Sequence, residues 1–300
     1  MAVEARLLRG GAFGALCGVL AAVCYGANPL GAVTLYHLGY TTGSVLLYRF
    51  GFATAILAAF IAVRRGAFCP KHGGEWVVVA SLGLLFAVSS LTFYESFRVM
   101  DVGIACTILF VYPILTALIM AVFYRERLTL PTVAAIALAL AGIAFLSLGG
   151  GEHRVGAGGV TLVLVSALTY AVYIVIVNRA RLTLPVSAMT FWVLVFCGLG
   201  LAAWSGLADG PSAFRLPQDG TAWLAAIFLA IVPTLLSLVF MTYSSRLLGA
   251  TPTAILGALE PLTAVAVGVF AFHEAFTFRL AVGLALVLSA VILVLVTKSR

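Results

Sequence analysis

Leu259-Glu260-Pro261 sits in an apolar run that closes on Phe270-Ala271-Phe272-His273-Glu274. A carboxylate beside a proline, among Leu, Ala, Val and Gly, is a costly arrangement in hydrocarbon. Proline removes one backbone donor and frees a carbonyl one turn earlier, while Glu260 needs a partner or a proton. Residues of this kind face a bundle interior or a wet cavity. The same grammar stands 148 positions earlier. Tyr112-Pro113 matches Glu260-Pro261, and Glu126 matches Glu274, each glutamate lying 13 residues after its proline. Ser96 matches Ser244, Arg98 matches Arg246 and Thr129 matches Thr277 at the same offset. These identities fall on polar, charged and proline positions, where chance matches are rarest in an apolar chain. The sequence reads as built twice.

Composition gives the class. Of the 300 residues, 63% are hydrophobic and 9% charged, and the mean hydropathy is +1.19. A soluble domain carries roughly 25% charged residues, so this chain cannot cover itself with a water-compatible surface. It reads as an all-α polytopic membrane protein. The net charge of +7 is spread over many short loops, which fits residues flanking membrane spans and not a nucleic-acid face. Cys17, Cys24, Cys106 and Cys197 lie in apolar runs and Cys69 in a basic loop. No spacing suggests a disulfide framework or a metal site.

A span needs about 20 mostly apolar residues. Ten such runs are predicted, at 12–36, 43–63, 75–97, 102–124, 130–149, 157–178, 186–206, 220–243, 251–272 and 278–297. The first run could pass for a signal peptide, but its length, its Asn28-Pro29 and its second-half counterpart mark it as a span. The clearest break is the glycine-rich Gly149 to Gly159, giving two five-span halves at 1–150 and 151–300.

Loop charges give an orientation. Twelve basic residues fall on one side: Arg6, Arg9, Arg64, Arg65, Lys71, Arg125, Arg127, Arg179, Arg181, Arg246, Lys298 and Arg300. Four fall on the other: Arg98, Arg154, Arg215 and Arg279. This bias puts both termini in the cytoplasm. With an odd number of spans per half, Glu126 and Glu274 lie on opposite sides, so the halves face opposite ways. That is the inverted-repeat layout of secondary transporters. Span one against span six agrees, because Gly11, Gly14 and Tyr25 match Gly156, Gly159 and Tyr170 at an offset of 145.

At these residues the chain resembles the EamA family of the drug/metabolite transporter superfamily. The resemblance rests on the ten spans, Leu259-Glu260-Pro261 followed by Glu274, Arg49-Phe50 in span two, and Tyr25-Gly26-Ala27-Asn28 in span one. The last is similar to the family's Trp-Gly-Ser-Asn pattern. The resemblance implies two inverted five-helix repeats around a central cavity and alternating access. In bacteria it further implies export of amino acids and related metabolites across the inner membrane. One departure stands out: the first half has Tyr112 where the second has Glu260, leaving the site an aromatic and an acidic side.

Several residues carry the chemistry, each with a plainer alternative. Pro113 and Pro261 either kink helices to close the bundle or free carbonyls toward a cavity. Glu260 serves substrate or cation coupling, or tethers two helices. Arg49 is the one basic residue well inside a span, placed to pair with Glu260 or a substrate carboxylate, or to act as a snorkelling anchor. Glu126 and Glu274, at span ends, read as caps or surface pairs. Tyr25, Tyr112 and Tyr170 are mid-span, where a hydroxyl needs a partner. With Asn28, Tyr94, Phe110, Tyr173 and Glu260 they form the expected substrate-binding set. No Walker, Gly-x-Ser-x-Gly or His-Glu-x2-His signature occurs.

The function expected is a secondary transporter, not an enzyme. It would sit in the bacterial inner membrane and export small amphipathic metabolites, foremost hydrophobic or aromatic amino acids. A coupled proton or other ion is a possible partner alongside the bilayer, and no cofactor, metal or nucleic acid is expected. The alternatives are an importer or a carrier of nucleotide sugars, cofactors or drugs, and further off a membrane enzyme or lipid-handling protein.

Overall fold

Prolines and glycines set where the helices of this chain start, break and touch. The computed structural model describes residues 2–64, 69–124, 130–147, 156–180, 184–248, 253, 256–257 and 259–298. Among them there is no strand. The helices are α1 (Ala2–Gly26), α2 (Asn28–His37), α3 (Thr42–Arg64), α4 (Gly73–Ser96), α5 (Val102–Leu109), α6 (Tyr112–Tyr124) and α7 (Leu130–Ser147). After them come α8 (Ala157–Arg179), α9 (Val186–Ala208), α10 (Gly220–Ala230), α11 (Ser237–Leu248), α12 (Leu259–Phe272) and α13 (Phe278–Lys298). A short 3₁₀ turn (Gly210–Phe214) follows α9, and a π-helical turn (Ile231–Leu236) joins α10 to α11.

Among the described residues, seven helical stretches are long and apolar enough to cross a membrane, running from Ala12–His37 to Gly220–Met241. Three shorter apolar stretches, Val133–Gly142, Leu259–Phe272 and Phe278–Ala290, fall within the remaining predicted spans. Val63, Phe123, Leu130, Leu207 and Phe270 point outward. Soluble proteins rarely expose apolar surface on this scale, and lipid accounts for it. The described residues hold helices and no strand, consistent with a polytopic membrane protein.

Among the described residues, predicted spans one, four and eight are not continuous α-helices, and span nine has a turn at Gly257 ahead of α12. Span one breaks at Ala27, and α2 restarts with Pro29 in its first turn. Span four breaks at Phe110-Val111, and α6 restarts with Pro113 as its second residue. Span eight holds its break as the π-turn. Pro113 and Pro261 both lie in the first turn of their helices, where the missing N–H costs nothing. They start helices and do not bend them from within.

Packing is pairwise. α7 lies along α13, α3 along α9, α4 against α8, and α1 against α11. On α4 and α8, the Ser89 hydroxyl donates to the Ser166 carbonyl at 3.1 Å and the Ser166 hydroxyl to the Ser89 carbonyl at 2.7 Å. Ser237 donates to the Ala21 carbonyl at 3.1 Å. Ser237 and Ala21 are the positions that the offsets of 148 and 145 assign to Ser89 and Ser166. Gly26 brings α1 onto α12, where a Cβ on it would lie 2.6 Å from Cβ of Thr263.

Candidate functional site

The breaks in spans one, four and eight face a common interior. A cavity of about 180 Å³ opens there. The break in span one contributes Tyr25, Asn28 and Pro29, α3 contributes Arg49, and α4 contributes Phe86 and Phe93. Cys106, Phe110 and Tyr112 come from the broken span four, and Tyr170 and Tyr173 from α8. Thr190 and Val193 of α9, Pro233, Thr234 and Met241 of span eight, and Glu260 and Pro261 of α12 are also in the wall.

One wall is aromatic. Tyr112 meets Tyr170 edge-on with ring centres 4.9 Å apart, Tyr170 stacks on Tyr173 at 5.9 Å, and Phe86 lies 5.5 Å from Tyr173. Aromatic contacts of this geometry add to burial energy and stiffen the wall.

Facing it is a chain of polar groups with a fixed direction. Pro233 has no N–H for the Leu229 carbonyl, and the helix widens there into the π-turn. The Thr234 hydroxyl takes that carbonyl at 2.9 Å and accepts from Nε of Arg49 at 2.9 Å. Another nitrogen of the guanidinium donates to the Tyr94 hydroxyl at 2.9 Å, and Tyr94 donates to Oδ1 of Asn28 at 2.6 Å. The amide nitrogen of Asn28 is buried and has no partner among the described residues. Arg49 is 2% exposed, with the rings of Phe50, Tyr94 and Tyr25 at 5.0, 5.5 and 5.9 Å from its guanidinium carbon.

Glu260 enters from the first turn of α12, where the helix N-terminus favours a negative charge. Among the described residues its carboxylate has no hydrogen-bond or ion-pair partner. The expected Arg49–Glu260 pair is therefore absent. The guanidinium is turned onto Thr234 and Tyr94, and among the described residues no carboxylate comes within 4.0 Å of it.

Seven of the eight residues expected around a substrate line the cavity: Tyr25, Asn28, Phe110, Tyr112, Tyr170, Tyr173 and Glu260. Tyr94 does not. It is 0% exposed and stands behind Asn28 and Arg49, holding both. Pro261 lines the cavity and Pro113 does not. Thr234 and Phe86 were not singled out in the sequence. For Thr234 the available signal was Pro233-Thr234 in mid-span, a lost donor followed by a hydroxyl able to replace it.

Glu274 is a cap, and an unusual one. Its Oε1 accepts the Val102 N–H at 2.7 Å and its Oε2 the Gly103 N–H at 3.2 Å, across the two halves of the chain. Asp101, the local N-cap residue of α5, makes no side-chain cap bond. The carboxylate fits between Gly103 and Gly268, and the preceding residue His273 takes a positive φ of 56°. Glu126 lies outside the described residues. Among those described, no three His, Cys, Asp or Glu side chains gather to hold a metal ion.

Comparison with known proteins agrees with this architecture. The model of the EamA-like transporter family matches residues 12–148 and again 157–296. An uncharacterized transporter of Archaeoglobus fulgidus is 27% identical over 276 residues, 91% of this chain and 94% of that protein. The chloramphenicol-sensitive protein RarD of Pseudomonas aeruginosa is 33% identical over 167 residues, 56% of this chain and 52% of RarD. A crystal structure with 22% identity superposes with a TM-score of 0.66, covering 96% of this chain and 98% of its own. With the family model matching nearly the whole sequence, this chain belongs to the EamA-like transporter family.

Proposed function

We propose that this transporter exports small zwitterionic metabolites, foremost hydrophobic or aromatic amino acids, across the bacterial inner membrane by alternating access. One observation carries the reading. The cavity holds an unpaired carboxylate, Glu260, and a buried guanidinium, Arg49, whose hydrogen-bond partners are all neutral. Charges left unpaired inside a membrane protein are expensive and mark ligand paths. A substrate with an ammonium for Glu260 and a carboxylate for Arg49 and the free Asn28 amide neutralises both at once. Its side chain then meets the rings of Phe86, Tyr112, Tyr170 and Tyr173.

Ten spans in two inverted halves provide the moving parts, and the equivalent contacts Ser89–Ser166 and Ser237–Ala21 support that reading. In inverted-repeat carriers the site lies at the repeat interface, and rocking exposes it to each side in turn. Energy comes from the substrate gradient or from a proton carried by Glu260. RarD, named for chloramphenicol sensitivity, keeps a drug-sized substrate as the second reading.

The test is counterflow with purified protein in liposomes, using a panel of labelled amino acids on wild type and Glu260→Gln. The account predicts saturable uptake that an aromatic amino acid competes away. It further predicts that Glu260→Gln loses any response to a pH gradient. No exchange of any amino acid by folded protein contradicts the assignment and turns the search to drugs and sugars.

A further inference from the structure

The cavity's two charges are held apart by a device that the family resemblance does not include. Arg49 and Glu260 line one cavity, and opposite charges in a low-dielectric interior attract strongly. An Arg49–Glu260 pair would fill the site. Two hydroxyls hold Arg49 instead, each with its hydrogen already committed. Thr234 spends its proton on the Leu229 carbonyl that Pro233 leaves open, and Tyr94 spends its proton on Asn28. Each then offers Arg49 only lone pairs, at 2.9 Å in both cases. The guanidinium thus meets two neutral acceptors from two different helices, span eight and α4, with Tyr25 of α1 as a further neutral neighbour. The arrangement stabilises the cation without cancelling its charge.

We infer that Thr234, acting with Tyr94, is a positioning residue that keeps Arg49 from pairing with Glu260 and so keeps both charges available to substrate. The inference rests on the two-charge reading of the cavity given above. Its geometry is asymmetric between the halves. The offset of 148 that pairs Tyr112 with Glu260 places Phe86 opposite Thr234, so only the second half has a hydroxyl at this position. The π-turn is what aims it, because the Leu229 carbonyl is free only where proline interrupts the ladder.

The direct test reads the Arg–Glu contact without needing a substrate. Protein labelled with ¹⁵N-arginine and ¹³C-glutamate is placed in bilayers, and guanidinium-to-carboxyl dipolar recoupling is measured by solid-state NMR. Arg98 and Glu95, 3.6 Å apart, supply a reference signal. Wild type should show no contact that Glu260→Gln removes. Thr234→Val, close in shape but without the acceptor, should gain one that Glu260→Gln then removes, and Thr234→Ser should behave as wild type. Tyr94→Phe, which removes the other acceptor, should gain the same contact and carries the test if Thr234→Val does not fold.

In transport, Thr234→Val should raise KM by about tenfold, the cost of a charge-assisted hydrogen bond. Adding Glu260→Gln should shrink that effect, since no carboxylate is left to capture Arg49. A purely structural role would leave the two changes additive. A contact already present in wild type, or none in either folded variant, overturns the inference. If the contact appears as described while no amino acid is transported, the clamp stands and the substrate assignment falls.

Discussion

Arg49 is held by a fork: one nitrogen on Thr234, another on Tyr94, with aromatic rings beside it. A lysine is a point charge on a flexible stem and cannot reproduce two fixed donors. Arg49→Lys should therefore keep the charge yet raise KM for the transported amino acid by roughly ten- to a hundredfold, the worth of one charge-assisted hydrogen bond. Counterflow kinetics on protein shown to be monodisperse checks this, and an unchanged KM would remove Arg49 from the site. Arg49 and Glu260 were legible because ionised groups inside apolar runs have no cheap structural role. Tyr25, Tyr112 and Tyr170 were legible from their mid-span positions, and Asn28 and Tyr173 from lying three residues from Tyr25 and Tyr170 on the same helix faces. Thr234 was not, since a threonine in a helix ordinarily bonds its own backbone, and Pro233-Thr234 alone does not say what else its hydroxyl reaches. Tyr94 was assigned to the right neighbourhood and the wrong layer, because sequence spacing does not separate a cavity wall from its support.

Helix interruptions make the site possible, and each has a cause that can be tested. Replacing Pro233 with Ala restores a donor for the Leu229 carbonyl and removes the reason for the π-turn. Thr234 then turns away from Arg49. The account predicts transport reduced by at least about tenfold, with a melting temperature equal to or above wild type; a lower melting temperature with normal transport contradicts it. Glu274 belongs to the same scale. Removing it with Glu274→Ala leaves two α5 N–H groups unpaired, at a cost of about 1 kcal/mol. Thermal unfolding in detergent should show that loss, with Glu274→Gln retaining part of it. The prolines announced irregular backbone in the sequence. They did not announce its form, because a helix start, a break and a π-turn differ only in what takes the orphaned carbonyl. The cap reading of Glu274 was available from its place at a span end, but its partner across the chain was not, since only folding brings residue 274 to residue 102.

The EamA-like family model matches the chain twice, and one side-chain contact recurs between the matched regions. The offsets found in the sequence relate Ser89 to Ser237 and Ser166 to Ala21, and in each half the serine hydroxyl donates to its partner's carbonyl, Ser89 to Ser166 between α4 and α8 and Ser237 to Ala21 between α11 and α1. Our proposal of two inverted halves predicts a topology that thiol labelling can read. Cys69 is exposed in the loop before α4 and should react from the side that carries the termini. A cysteine introduced at the exposed Gln218 should react from the opposite side. Labelling of both from one side would contradict the inverted arrangement. Fold class was legible at this scale because hydropathy and loop charge are collective properties, robust to the few residues that break each span. Substrate identity is not collective, and it turns on where two charges sit in one cavity. The measurement that tests this most directly is competition for counterflow by three molecules of one shape: phenylalanine, phenethylamine and 3-phenylpropanoate. The account predicts that phenylalanine competes and that each singly charged analogue competes at least about tenfold less well, having lost one charge-assisted contact. Equal competition by either analogue would show that one of the two charges plays no part in binding.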